Sequence, residues 1–315
     1  MSIRRKLWSR RRLLGGLGFA GISATGLMIY RAAPRFWQQY VRDWNRPIAR
    51  SPYFPRPDSW PDTGLHAAWL GHATVLLKID GFTILTDPVF SDVAGLELGP
   101  VRLGIKRLVY PAVSLDHLPT PDLVLLSHAH MDHFDLPSLR GLENKSTSVV
   151  TAWETADLLE TGAYHQVRQL RWGDRTRVGP ATVTAFEVNH WGARYRTDTY
   201  RGYNGYLVEV GRHRVMFGGD TADTHLFRPL KASRPVDLAV MPIGAYDPWL
   251  HYHCTPEQAW RMGNEAGAEF FIPVHHRTFR LSNEPYDEPI QRFYAAAANH
   301  LDRVAIDSIG QEFHL

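Results

Sequence analysis

Seven residues constrain this chain more than any others: Ser127-His128-Ala129-His130-Met131-Asp132-His133, directly after the apolar run Leu123–Leu126. On a regular helix or strand these imidazoles and the carboxylate cannot all face one point, because side chains fan around a helix and alternate across a strand. In a tight loop at a strand end they can, and strand ends are where α/β folds place their sites. Three histidines and an aspartate so close together have no evident structural purpose, and they are the residue types that ligate metals. Histidine is abundant in the chain as a whole, with 16 residues.

One such cluster cannot complete two metal sites, so further ligands must come from elsewhere in the chain. Three candidates stand just after strand-like runs. His190 follows Thr182–Val188. Asp220 follows Val215–Phe217 in Phe217-Gly218-Gly219-Asp220-Thr221. His275 follows Glu269–Val274, with His276 beside it. Alone, each reads as readily as a cap or a surface residue; a motif that requires partners turns them into expected ligands.

The runs Ala67–Leu70, Val75–Ile79 and Phe82–Thr86 are short and strand-like, with Asp80-Gly81 as a hairpin turn. Ser148–Thr151, Tyr206–Val210 and Leu238–Met241 read the same way. Helices fall between strands. Thr155–Thr161 is a short candidate, and the stretch after Thr255 is a stronger one. There Thr255-Pro256-Glu257-Gln258 supplies an N-cap, a proline in the first turn and a capping-box glutamine. A last helix is expected from Glu288 to about His300. Paired strands followed by alternating strands and helices imply an α/β chain of two packed sheets with helices outside. Phe90–Leu118, rich in Gly, Pro and Leu, reads as a long active-site or membrane-facing loop.

Charge divides the chain unevenly. Residues 1–35 carry eight Lys and Arg and no acid, so the remainder has 27 basic (35 less 8) against 32 acidic residues. The pI of about 9.0 therefore belongs to the N-terminal segment, and an acidic body argues against a general nucleic-acid binder. Ser9-Arg10-Arg11-Arg12-Leu13-Leu14 opens an uncharged, Gly-rich run from Leu13 to Tyr30. It resembles a twin-arginine export leader, or an uncleaved anchor with the body on the periplasmic side of a bacterial envelope. The alternative is a helix on the cytoplasmic face of the membrane. The expected division is 1–35 leader or anchor, 36–64 Pro-rich connector, and 65–315 catalytic domain. The single cysteine, Cys254, excludes an internal disulfide.

The order His-x-His-x-Asp-His, then His, Gly-Asp and His, resembles the metallo-β-lactamase superfamily. More narrowly, Trp69-Leu70-Gly71-His72-Ala73-Thr74, Leu85-Thr86-Asp87-Pro88, Pro242-Ile243-Gly244-Ala245-Tyr246, Pro256-Glu257 and Asn283-Glu284 resemble its N-acylphosphatidylethanolamine-hydrolysing phospholipase D branch. The likeness runs from about residue 66 to 290. It implies an αββα sandwich of two mixed sheets and a division of ligands. His128, His130 and His190 would hold one divalent ion, Asp132, His133 and His275 the other, and Asp220 would bridge them. His276 stands where the branch commonly has Trp; a shift of one position would make it the ligand, and Thr278-Phe279 favours His275.

Two metals roughly 3.5–4 Å apart can share a hydroxide as nucleophile and stabilise charge on the attacked group. Five imidazoles and two carboxylates without a thiolate suit zinc best, with manganese or iron as alternatives. Around the ligands, Asp87 is expected to orient one of them, His253 to protonate a leaving group or contact phosphate, and His72, Tyr246, Trp191 and Trp249 to line the pocket. The expected activity is that of a phosphodiesterase or phospholipase-D-like enzyme on a lipid or other hydrophobic ester, aided by membrane association through the N-terminal segment. The same residues would serve a lactone, carboxylic ester or amide hydrolase, or a non-hydrolytic metal-binding sensor.

Overall fold

The computed structural model describes residues 41–43, 45–99, 101–231 and 234–315. The expected leader or anchor over 1–35, and the first residues of the connector, lie outside them. Among the described residues no helix is long and apolar enough to cross a membrane. Contacts divide the chain into Met1–Pro47 and Ile48–Leu315. In the first unit, residues 41–43 are helical and Arg46 pairs with Asp43 at 2.9 Å.

In the second unit the strands form two large mixed sheets. The first contains β1 (Leu65–Gly71), β2 (Thr74–Ile79), β3 (Phe82–Thr86), β6 (Leu123–Leu126), β7 (Ser148–Ala152), β8 (Gln166–Leu170) and β15 (Glu312–His314), in the order β15-β1-β2-β3-β6-β7-β8. The pairs from β15 to β3 are antiparallel, and those from β3 to β8 are parallel. The second contains β9 (Arg175–Val178), β10 (Ala181–Phe186), β11 (Gly205–Val210), β12 (His213–Phe217), β13 (Val236–Pro242) and β14 (Ala268–Val274), in the order β14-β13-β12-β11-β10-β9. Here β12, β13 and β14 run parallel.

Strand alternation builds the layers. In β13, Leu238 and Val240 join the core between the sheets, together with Val75 and Leu125 of the first sheet. Their neighbours Ala239 and Met241 join a second apolar cluster with Ala259, Met262, Ile290 and Phe293. The latter four lie on α2 (Pro256–Glu265) and α3 (Glu288–Ala297), which follow α1 (Leu136–Gly141) in the chain and cover the outer face of the second sheet. Helix α2 has the expected capping box, Thr255 and Gln258 each bonding the other's backbone N–H.

Three local expectations are corrected. Thr155–Thr161 is not a helix but two 3-10 turns, Ala156–Leu158 and Thr161–Ala163. Gln169 on β8 accepts the N–H groups of Thr155 and Ala156 through Oε1, holding the segment to the strand. Phe90–Leu118 is not one long loop, because it contains the hairpin β4 (Val93–Leu98) and β5 (Val101–Lys106). Gly95 and Gly104 face each other so closely that a Cβ on Gly95 would lie 2.2 Å from the Leu103 carbonyl oxygen. Glycine in a strand is what blurred the pattern. The last helix ends at Ala297 and continues to Arg303 as 3-10 turns.

Residues 48–64 run along the body. Ala49 bridges Val109, Ser51 is buried with its hydroxyl on the Ile309 carbonyl, and Trp60 is buried with its indole N–H on Glu312.

Candidate metal centre

The candidate residues gather where strands of both sheets end. Leu126 ends β6 and opens the His128–His133 loop, Thr86 ends β3 before Asp87, Phe217 ends β12 before Asp220, and Val274 ends β14 before His275. His72 sits in the β1–β2 turn. His72, Asp87 and His275 all have left-handed backbones, with φ of 52°, 30° and 65°. For non-glycine residues such conformations cost of order 1–3 kcal/mol each and cluster at functional sites. Gly219, at φ +56° just before Asp220, packs against the residue after β6, where a Cβ would lie 2.8 Å from Ser127 Cβ.

Two groups of donor atoms converge. His128, His130, His190 and Asp220 form one, and His72, Asp132, His133 and His275 the other, each with its donor atoms within 4.8 Å of one another. Asp220 Oδ2 lies between them, 3.1 Å from His133 Nε2, 3.2 Å from His275 Nε2, 3.8 Å from His190 Nε2 and 3.9 Å from His128 Nε2. The seven expected ligands are therefore together. His72, expected near the pocket, joins the second group directly, its Nε2 2.9 Å from Asp132 Oδ2.

The far nitrogens of the rings are tied back. His133 Nδ1 lies 2.7 Å from Asp87 Oδ2, His128 Nδ1 2.8 Å from Ser127 Oγ, and His190 Nδ1 2.8 Å from the Tyr252 carbonyl oxygen. Ser127 Oγ donates to Asp87 at 2.5 Å, and Ser127 N–H donates to the same carboxylate at 2.7 Å. One buried carboxylate thus orients two rings, His133 directly and His128 through Ser127. A neutral ring that donates on its far side presents a bare nitrogen to the cluster, which is how ligating histidines are held.

The electrostatics ask for positive charge. Burial holds His128 and His190 well below the usual imidazole range and His130 down at about 4, keeping them neutral. His133 and His275 behave oppositely. Against burial, Asp220 and Asp132 raise His133 well above its ordinary value and His275 to about 9. Likewise Asp132 and Asp220 are held well below the carboxylate range, burial opposed by His133 and its neighbours. The buried carboxylate of Asp220 and the half-buried one of Asp132 thus rely on protonated imidazoles for compensation, and divalent cations would serve instead. Asp220 Oδ1 and His130 Nε2 are buried without a hydrogen-bond partner. The donor set fits divalent metals, and the centre is a metal site by its chemistry.

A cavity of about 220 Å³ opens beside His130, Asp132 and Asp220, walled by Trp191, Trp249, Tyr252 and Leu281. His253 borders it, 3.8 Å from Asp220 Oδ2. Burial lowers His253 to about 4, so its resting form near neutrality is the uncharged ring. Two expectations about nearby residues change. Tyr246 does not line this cavity: its hydroxyl donates to Glu288 at 2.8 Å under Arg292, and its neighbour Ala245 forms the wall. His276 points away from the cluster, its ring 4.7 Å from that of Trp69, and burial pushes it down to about 3. Two larger hollows, of about 650 and 430 Å³, border none of the converging residues.

Sequence reasoning missed Arg194. Buried four residues after His190, it donates through Nη1 to the Ala129 and Phe134 carbonyls at 3.2 and 2.8 Å, clamping the His128–His133 loop. Nothing in the local pattern separates it from a surface arginine.

Residues 83–276 match the Beta-lactamase superfamily domain. An uncharacterized protein of Mycobacterium tuberculosis (strain ATCC 25618 / H37Rv) is 35% identical over 84% of this chain and 72% of its own length. The N-acyl-phosphatidylethanolamine-hydrolyzing phospholipase D 1 of Caenorhabditis elegans is 30% identical over 74% of this chain and 69% of its own. Among solved structures, Igni18, a metallo hydrolase from the archaeon Ignicoccus hospitalis, has a TM-score of 0.61 over 80% of this chain and 99% of its own. At 19% identity it is a likeness of fold alone.

Proposed function

The chain belongs to the metallo-β-lactamase superfamily and is a metal-dependent hydrolase, and from that premise we propose that it cleaves phosphodiesters with a hydrophobic substituent, N-acylphosphatidylethanolamine-like lipids among them. The observation that carries this reading is the pairing of the converged ligands with an aromatic cavity, in a chain 30% identical to a phospholipase D of that specificity. In this reading His128, His130 and His190 would hold one ion, Asp132, His133 and His275 would hold the other, and Asp220 would serve both. Zinc is the proposed metal, because the donors are imidazole and carboxylate without thiolate. Bound divalent ions supply Lewis acidity toward water and toward the phosphoryl group.

The chain's own residues do the rest. Asp87 keeps His133 and, through Ser127, His128 in the orientation that faces the cluster. Trp191, Trp249 and Leu281 exclude water from one side and give an apolar substituent a surface to lie on. His253, neutral at the cavity edge, accepts a hydrogen bond or a proton there.

The test is metal content by elemental analysis of the purified full chain, with hydrolysis of bis-p-nitrophenyl phosphate and of vesicles containing N-acylphosphatidylethanolamine. Close to two ions per chain with turnover of both supports the proposal. Turnover of lactones, carboxylic esters or amides in place of phosphodiesters overturns the substrate class and keeps the metal centre. Absence of turnover across all these classes in metal-loaded protein points to the sensor reading.

A further inference from the structure

A second pair of imidazoles meets at the edge of the first sheet. His66 on β1 and His314 on the edge strand β15 are directly opposed in an antiparallel pair. Opposed side chains of such a pair lie on one face, with Cβ atoms roughly 4.5–5.5 Å apart, close enough for two rings to reach a common point. Here they do: the two Nδ1 atoms are 2.7 Å apart.

The surroundings orient the rings as a chelate requires. His66 Nε2 lies 2.8 Å from the Thr63 carbonyl oxygen, which can only accept, so Nε2 carries the proton and Nδ1 has a bare lone pair. A backbone carbonyl holding the far nitrogen is the usual way a ligating histidine is fixed. Trp60 stacks on His66 at 5.9 Å and meets His314 edge-on at 6.2 Å, walling the pair on one side. Glu312, two residues before His314 and on the same face of β15, is anchored by the Trp60 indole N–H at 2.6 Å and the Arg56 N–H at 3.0 Å. It adds negative charge to the same face. His66 is buried and His314 exposed, so the pair is reached from solvent on the His314 side.

We propose that His66 and His314 form a separate metal site, taking one divalent transition ion such as zinc, nickel or copper across the β1–β15 pair. Bonds of about 2.0–2.1 Å in tetrahedral geometry set two nitrogens about 3.3 Å apart, which the rings reach from 2.7 Å by parting about 0.6 Å. His314 then moves its proton to Nε2, so both Nδ1 atoms face the ion, and water completes the coordination. Imidazole donors favour zinc, nickel and copper over magnesium or calcium. None of these residues belongs to the strand-end cluster, so the site does not depend on the reaction assigned to that cluster. A bound ion would fasten the edge strand to β1.

The experiment is a zinc titration of the full chain, after its tightly held ions are in place, followed by calorimetry and by thermal melting in excess zinc. Native protein and His314→Ala are compared, with His314→Gln as the variant that keeps a polar side chain should alanine loosen the edge strand. The expected result is one further zinc equivalent taken up by the native chain and lost in both variants. Their hydrolytic turnover stays unchanged, and the rise in melting temperature with excess zinc is confined to the native chain. Superimposable isotherms and equal melting shifts would show a plain imidazole–imidazole hydrogen bond and overturn the proposal.

Discussion

Asp87 is the most informative residue to perturb, because it touches neither cavity nor substrate and yet orients two candidate ligands. Its carboxylate accepts three short hydrogen bonds, from His133 Nδ1 at 2.7 Å, Ser127 Oγ at 2.5 Å and Ser127 N at 2.7 Å. Asp87→Asn keeps the shape and one acceptor for the Ser127 N–H. Its NH2 group then faces His133 and Ser127 Oγ, where only acceptors are tolerated. His133 is driven to the other tautomer, with a hydrogen on Nε2, the atom that lies 3.1 Å from Asp220 Oδ2 in the cluster. A ring in that state cannot ligate. Loss of such an orienting partner typically costs 10–100-fold in metal affinity or activity, about 1.4–2.8 kcal/mol at 1.4 kcal/mol per decade. Competition titration with a zinc chelator reads the affinity, and a urea melt of the metal-free protein shows whether the fold survives. Affinity within twofold of the native value, in a folded variant, would refute the orienting role.

Further perturbations separate the layers of the site. Asp220→Ala removes the carboxylate between the two groups; metal content should fall and hydrolysis vanish with the fold retained, and an unchanged metal count with full activity would remove the bridging assignment. Arg194→Met deletes two charged hydrogen bonds to the loop carbonyls and should cost roughly 2–4 kcal/mol, read as a lower urea midpoint; an unchanged midpoint would contradict the clamp. Gly219→Ala forces a Cβ to 2.8 Å from Ser127 Cβ at φ +56°, so roughly 1–3 kcal/mol of strain and weaker metal binding are expected; native stability and affinity would count against the close approach.

Metal-free protein should be most stable near neutrality. Burial holds His72, His130, His253 and His276 at about 3 to 4 in the fold. The unfolded chain alone therefore takes up protons below about 6.5, and stability falls as the pH drops from there. His275, which the two aspartates hold charged up to about 9 against burial, contributes stability that is complete below about 6.5 and lost as the pH rises through 9. Urea melts from pH 5 to 9 check both limbs, and a flat profile would contradict the buried charge pattern.

Much of this protein is legible in one dimension. The His128–His133 motif follows Leu123–Leu126 in a way that only a strand-end loop can satisfy, and the apolar runs mark β3 and β6 with their true bounds. Thr255-Pro256-Glu257-Gln258 announces α2 because capping is chemistry between near neighbours. The hairpin β4–β5 was not legible, since its register rests on two glycines packed face to face across strands.

The sequence by itself determines the candidate ligand types, their order and the strands that carry them, because hydrophobic period and turn chemistry act over a few residues. Tertiary structure alone decides which of His275 and His276 enters the cluster, for a backbone at φ 65° turns one ring inward while the next packs on Trp69. It also decides that His72 reaches Asp132, that Tyr246 turns to Glu288, and that Arg194 and Ser127 serve the ligand loop. Each of these contacts joins residues whose directions are set by backbone turns and by the packing of two sheets, and neither is written in the spacing of residues along the chain.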